Sequence, residues 1–198
     1  RFSREFRLTM PGLFNVENAL AAVAAAEVYG IPAEAVAAGL VRAFVPGRME
    51  HYVSADGEIS VIVDYSHNGM SLQNALRSVR AEYPGREMAI VFGCPGKKAY
   101  DRRRDLGEAA GHWCDRVYLT EEDSGEEDTL DICREIAPNV EKAGCPVRII
   151  PNRGEAIRQA VLDCAGPSVL LLTGKGRETR QKRGTAYIDT PTDVEYVQ

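Results

Sequence analysis

The sequence predicts an α/β protein: a Rossmann-like, mostly parallel sheet with helices on both faces, preceded by a short strand-helix-helix unit. Three observations predict it. Unbroken apolar runs of strand length, above all Val169 to Thr173 and Met88 to Cys94, end in or beside glycine, as strands buried on both faces do. Between such runs lie segments whose apolar residues recur at helical spacing. From Met49 onward the two patterns alternate, which is the signature of strand-helix-strand crossovers in a parallel sheet.

Composition sets the outer bounds. A chain of 198 residues suffices for one good core, or for one domain plus part of another. With 44% hydrophobic and 27% charged residues it is of ordinary globular composition, and a net charge of −5 provides no electrostatic footprint for nucleic acid or an anionic membrane. No apolar run approaches the roughly 20 residues that span a bilayer. The opening charges Arg1, Arg4 and Glu5 do not resemble a signal peptide, so a cytoplasmic location is expected. Cys94, Cys114, Cys133, Cys145 and Cys164 are odd in number, scattered and without a CxxC pair, and read as reduced core thiols. Neither they nor the three histidines have ligand spacing, so no metal site is assigned.

Taken in order, Phe2 to Met10 alternates loosely and predicts a strand. Asn15 is placed to cap a helix starting near Val16, whose alanine-rich run ends at Tyr29-Gly30. A second helix is expected from Ala33 to about Phe44, broken by Pro46-Gly47. One strand and two helices bury little by themselves, so residues 1–46 are expected to be the tail of one domain and 47–198 a second. Glu50 to Ser54 and Glu58 to Asp64 form a hairpin through Asp56-Gly57. Leu72, Ala75, Leu76 and Val79 stripe a helix that Pro84-Gly85 stops. Strands follow at Met88 to Cys94, Val117 to Thr120, Val147 to Ile150 and Val169 to Thr173. The helices between them carry Leu106 and Ala110, Ile132 and Ile136, and Ala156 and Ile157. Thr185 to Ile188 is a last strand, before a short helix from Thr190.

Four strand ends carry polar clusters: Asp64 to Asn68, Gly93 to Lys98, Thr120 to Asp128, and Gly174 to Thr179. In a parallel sheet these ends share one edge, where ligands of such folds settle. Lys98, Lys175 and Arg177 suit a carboxylate or phosphate, whereas Glu122, Asp123 and Glu178 suit an amine; the mixture fits a small zwitterion or the joining of a carboxylate to an amine. Each cluster also has a plainer reading. His67 can be a satisfied loop histidine, the acidic run a solvated loop, and Arg102 to Arg104 an exposed helix start capped by Asp101. There is no GxxxxGK[ST] phosphate loop and no GxGxxG, which disfavours a dinucleotide site.

Together, GLFNVENALAA, VPGRME, VDYSHN, VFGCPGKK, the acidic loop and TGKGRETRQK resemble, in order, the motifs of Mur ligases, with the nearest likeness to those that add the third amino acid to UDP-N-acetylmuramoyl-dipeptide. The resemblance covers nearly the whole chain and matches the end of that family's central ATPase domain, to about Pro46, followed by its Rossmann-like C-terminal domain. It implies ATP-dependent amide formation through an acyl phosphate, with Mg2+ held mostly by the missing domains. The small-molecule substrates would be ATP, an amino acid and the UDP-sugar peptide. No nucleic acid or membrane partner is implied, and the fragment is not expected to turn over alone.

Residue by residue, the resemblance assigns Asn18 to adenine, Arg48 to the terminal phosphate as the catalytic cation, and Asp64 to the ribose hydroxyls, with His67 and Asn68 nearby. It assigns Lys98 to the amino-acid carboxylate, where relatives have arginine; lysine keeps the charge and loses the fork. Glu178 would hold the incoming amine, Gly174 would line the same pocket, and Glu122 and Asp123 would flank it. Diaminopimelate-adding relatives carry an arginine where Gly125 stands here, which together with the neighbouring acids predicts L-lysine, ornithine or a similar diamino acid. Two other readings stay open: another ligase of the superfamily, such as a folylpolyglutamate or cyanophycin synthetase, or a non-catalytic Rossmann-type binding module.

Overall fold

A computed structural model describes residues 4–10 and 12–198. Helices α1 (Leu13–Val28) and α2 (Ala33–Val41) are followed by the antiparallel pair β1 (Glu50–Val53) and β2 (Ile59–Asp64). The chain continues α3 (Gly69–Glu82), β3 (Glu87–Phe92), α4 (Asp101–Trp113), β4 (Arg116–Leu119), α5 (Thr129–Glu141), β5 (Val147–Ile149), α6 (Arg153–Leu162) and β6 (Ser168–Thr173). It closes with β7 (Arg180–Arg183), β8 (Ala186–Asp189) and α7 (Asp193–Val197). The main sheet has six strands in the order β1-β2-β6-β3-β4-β5, parallel except for β1 at its edge. The expected α/β class, and the parallel sheet within it, are both present.

Strand alternation divides the interior into two cores. Ile62, Met88, Ile90, Phe92, Val117 and Leu171 face one side, covered by α3, α4 and α5 through residues such as Leu72, Leu76, Leu106, Ile132 and Ile136. Val61, Val63, Ala89, Val91, Leu170 and Leu172 face the other, covered by Ala156, Ile157 and Ala160 of α6 and Val194 of α7. Every residue of β6 is buried, because it lies between β2 and β3 with helices on both faces. All five cysteines are free thiols, four of them buried, as expected.

Several local expectations fail for identifiable reasons. The described residues of the first segment, 4–10, form no strand; Phe2 lies outside the described residues. Helix α1 begins a turn earlier than expected, at Leu13 after Gly12, so Asn15 is inside it and buried instead of capping it. Asp101 lies in the first turn of α4, with Tyr100 at the cap and no side-chain capping bond. Arg103, expected on an exposed helix start, is 2% exposed and paired with Glu127 and Glu135. The strand Arg180–Arg183 was not expected: its residues, RQKR, carry no period-2 apolar signal, yet it pairs with the expected last strand as a two-stranded ribbon. Helix α1 keeps Leu13, Leu20 and Val28 exposed, and the two helices of residues 13–41 contribute only Phe14, half-buried, to the first core.

Candidate functional site

The carboxyl ends of β2, β3, β4 and β6 converge, and side chains from the four expected clusters touch. After β2, Tyr65 donates its hydroxyl to Glu178 Oε1 at 2.5 Å. After β4, Asp123 Oδ1 accepts from Lys175 Nζ at 3.1 Å. The same ammonium reaches Glu178 Oε2 at 2.5 Å and the Arg180 carbonyl at 2.7 Å. After β3, Gly96 donates to the Asp123 carbonyl at 3.2 Å. Gly174, at φ 98°, leaves room on its missing-Cβ side for the Glu122 carboxylate, which a larger residue would displace. Non-glycine residues with positive φ gather here as well: Met49, Lys97, Ala99 and Asp123. Such strain collects where a site over-determines the backbone.

Two clefts open on this rim. The first, about 490 Å³, is lined by Asn18, Arg48, Asp64 and Asn68 among others, and so brings together four of the five residues expected around a nucleotide. His67 does not line it: its Nδ1 lies 2.9 Å from the Tyr65 carbonyl and its ring packs edge-on against Tyr65. The Arg48 guanidinium sits 5.2 Å from the Tyr65 ring centroid and makes no ion pair among the described residues. Asn68 also caps α3, accepting from Ser71 N at 3.0 Å. Asp64, 1% exposed, accepts from Met49 N at 3.0 Å, from Ser66 N at 2.8 Å and from the Ser66 hydroxyl. It therefore fixes the turn on which Arg48 and Met49 stand, whatever else it binds.

The second cleft, about 400 Å³, is lined by Asp123, Arg177, Glu178, Thr179, Arg180 and Tyr187. Glu122 and Gly174 are absent from its lining and pack against each other. Lys98 is exposed on the same edge and lines neither cleft. Of the cations expected to meet an anionic ligand, two are already engaged. Lys175 bridges Asp123 and Glu178, and Arg177 forms a bidentate pair with Glu50 at 2.5 and 2.7 Å. That pair, with bonds from Gly47 and Tyr52, holds the Glu50 carboxyl down at about 2 against the opposing effect of burial. Glu178 spends one bond per oxygen on Lys175 and Tyr65, and a carboxylate has further lone pairs for an amine. Its hydrogen bond pushes the Tyr65 hydroxyl up to about 12, so Tyr65 is a donor at any working pH.

The acidic loop is not the solvated decoration that its composition allowed. Thr120, Glu121, Glu122 and Ser124 are buried, and Glu121 is gripped by Arg183 of the β7-β8 ribbon at 2.7 and 2.8 Å. Beneath the rim lies a pair that sequence reasoning missed. Arg153, 3% exposed, donates to Asp193 Oδ1 at 2.6 Å and Oδ2 at 2.7 Å, and to the Thr173 carbonyl at 2.8 Å. Asp193 also accepts from Gly176 N at 3.1 Å. One signal was available: Arg153 opens helix α6, where its charge opposes the helix dipole and needs a buried anion to be tolerated.

Within this loop Glu122 has a raised carboxyl. Burial pushes it up to about 7, against the attraction of Arg153 and Lys175. The folded protein thus keeps a proton that the unfolded chain releases, and stability falls as pH rises from the unfolded carboxyl value through about 7. Compared with wild type, Glu122→Gln is expected to gain about 2–3 kcal/mol of stability at pH 8 relative to any gain at pH 5. Urea unfolding of both proteins at the two pH values checks this, and a difference independent of pH contradicts it.

The comparison with protein families decides what kind of domain this is: residues 47–176 match the model of the Mur ligase, glutamate ligase domain. The chain belongs to this family. Relatives include a UDP-N-acetylmuramoyl-L-alanyl-D-glutamate--2,6-diaminopimelate ligase of Synechococcus elongatus, 40% identical over 185 residues that make up 92% of this chain and 37% of the relative. A UDP-N-acetylmuramoyl-L-alanyl-D-glutamate--L-lysine ligase of Enterococcus faecalis is 38% identical over 178 residues, 89% of this chain and 35% of the relative. A solved structure of a diaminopimelate ligase of the same kind superposes with a TM-score of 0.70 at 26% identity, covering 96% of this chain and 39% of that one. This Mur ligase domain thus spans under two-fifths of the length of such relatives. The likeness extends to tripeptide-forming ligases that differ in the amino acid they add. Among the described residues no helix is long and apolar enough to cross a membrane.

Proposed function

We propose that the chain is the nucleotide- and amino-acid-recruiting part of an ATP-dependent ligase that adds the third amino acid to UDP-N-acetylmuramoyl-dipeptide. The single observation that carries this is the position of Tyr65. Its ring lies beneath the Arg48 guanidinium of the first cleft, and its hydroxyl bonds Glu178 of the second. A phosphate-facing cation and an amine-facing acid therefore share one side chain, as a reaction between an activated carboxylate and an amine requires.

In this reading Asn18 reads the adenine, Asp64 the ribose, and Arg48 the terminal phosphate, with His67 and Asn68 shaping the turn between them. The dipeptide carboxylate oxygen attacks the γ-phosphorus and ADP leaves. The amine nitrogen then attacks the acyl carbon, loses a proton, and phosphate departs. Glu178 orients that amine, Asp123, Glu122 and Gly174 frame it, and Lys98 meets the amino-acid carboxylate. Among the described residues no group of three or more His, Cys, Asp or Glu could hold a metal ion. The residues present do not fit the magnesium by themselves, and it is assigned to the remainder of the ligase. Residues 1–46 are read as the end of the preceding domain, supported by the exposed Leu13, Leu20 and Val28 and by a family match that starts at Gly47.

The acceptor is proposed to be L-lysine or a similar diamino acid. Gly125 stands at φ 60°, in a bridge to Arg183 of the β7-β8 ribbon, where an arginine would be strained. The acids Asp123 and Glu178, which line the second cleft, favour a distal ammonium over a distal carboxylate. Phosphate release by the full-length ligase, with lysine, ornithine and diaminopimelate each supplied in turn, tests both levels. The expected result is amino-acid-dependent release with the highest kcat/KM for lysine. Preference for diaminopimelate overturns the acceptor, and release indifferent to every amino acid overturns the ligase.

A further inference from the structure

The loop after β3 lines neither cleft, yet it is the most constrained stretch of the rim. Lys97 and Ala99 stand at φ 54° and 52°, on either side of Lys98, in a region that costs energy for residues with a Cβ. Gly96 just before them abuts the Ser124 carbonyl so closely that any side chain would overlap it. A strained turn persists only where its surroundings enforce it.

The enforcing group is Glu127. Its Oε2 accepts the Lys97 N–H at 2.6 Å and Arg103 Nη2 at 2.8 Å, while its Oε1 accepts Arg103 Nη1 at 2.8 Å. Arg103 is itself locked, since Nη1 also reaches Glu135 at 2.6 Å and the guanidinium lies 4.6 Å from the Tyr100 ring centroid. One carboxylate thus ties the strained turn to the first turn of α4. Lys98, between the two strained residues, is exposed and makes no ion pair among the described residues. A lysine is a point charge on a flexible stem, without the fork that lets arginine select a carboxylate by geometry. A reader of that kind depends on where the backbone holds it.

We propose that Glu127 and Arg103 are positioning residues that hold Lys98 where it meets the carboxylate of the incoming amino acid. This rests on the reading of Lys98 given above. The test uses the full-length ligase with Lys98→Met, Glu127→Gln, Glu127→Asp and the Lys98→Met/Glu127→Gln double variant. KM for the amino acid and for ATP, kcat and melting temperature are measured for each. Lys98→Met is expected to raise the amino-acid KM about tenfold, the scale of one charge-assisted hydrogen bond, and to leave the ATP KM unchanged. Glu127→Gln is expected to raise the same KM severalfold, and the double variant to be no worse than Lys98→Met alone. Glu127→Asp keeps the charge and withdraws the carboxylate by one methylene, so it is expected to reproduce the KM effect should the glutamine variant fold poorly. A folded Glu127 variant with an unchanged amino-acid KM, or with an effect that adds in full to that of Lys98→Met, overturns the inference. A Lys98→Met enzyme with normal kinetics overturns the reading of Lys98 itself.

Discussion

Replacing Arg153 with methionine is expected to destabilise the domain by about 3–5 kcal/mol, because it strands a buried carboxylate. Asp193 is 1% exposed and would be left with only the Gly176 N–H. The lost guanidinium joins the starts of α6 and α7 to the end of β6 and to the Glu121 backbone, so its removal also loosens the turn from Gly174 to Glu178. Guanidinium chloride unfolding of Arg153→Met, Asp193→Asn and the Arg153→Met/Asp193→Leu pair measures the effect. The double variant is expected to recover part of the loss, since apolar replacement of both partners leaves no uncompensated charge. A single variant within 1 kcal/mol of wild type would show that the pair is not what anchors the rim.

Glu178→Gln is expected to reduce kcat/KM for the amino acid about a hundredfold in the full-length ligase, with little change in melting temperature. The charged acceptor proposed for the amine is lost, while the glutamine oxygen can still take one bond from Tyr65 or Lys175. Its side chain is 38% exposed, so the fold depends on it weakly. Steady-state kinetics with the amino acid and ATP varied separately read the effect. A loss confined to the ATP KM would place Glu178 on the wrong substrate.

Much of this was legible in the sequence, and the failures have physical causes. The stripes Leu72-Leu76 and Ile132-Ile136 and the run Val169 to Thr173 carry their period openly, because each buries a whole face or both faces. Convergence of the strand ends followed from parallel topology alone, and it brings Asp64, Asp123 and Glu178 to one edge. Pairing between charges distant in sequence has no such period. Nothing local to Arg103 or Lys175 distinguishes a buried cation from a solvated one; their partners lie at Glu127 and Asp123. Strand β7 was missed for a related reason. The residues of β7 are polar on both faces, and its buried Gln181 accepts a hydrogen bond from the Asp123 N–H at 2.8 Å.

In the proposed function, Tyr65 joins the two halves of one reaction centre. A structure of the full-length ligase with a non-hydrolysable ATP analogue and the acceptor amino acid tests it most directly. The ribose is expected beside Asp64, the terminal phosphate at Arg48, and the α-ammonium in hydrogen-bond contact with Glu178. An amino acid bound away from Glu178, or a nucleotide outside the cleft between Asn18 and Asp64, would contradict it.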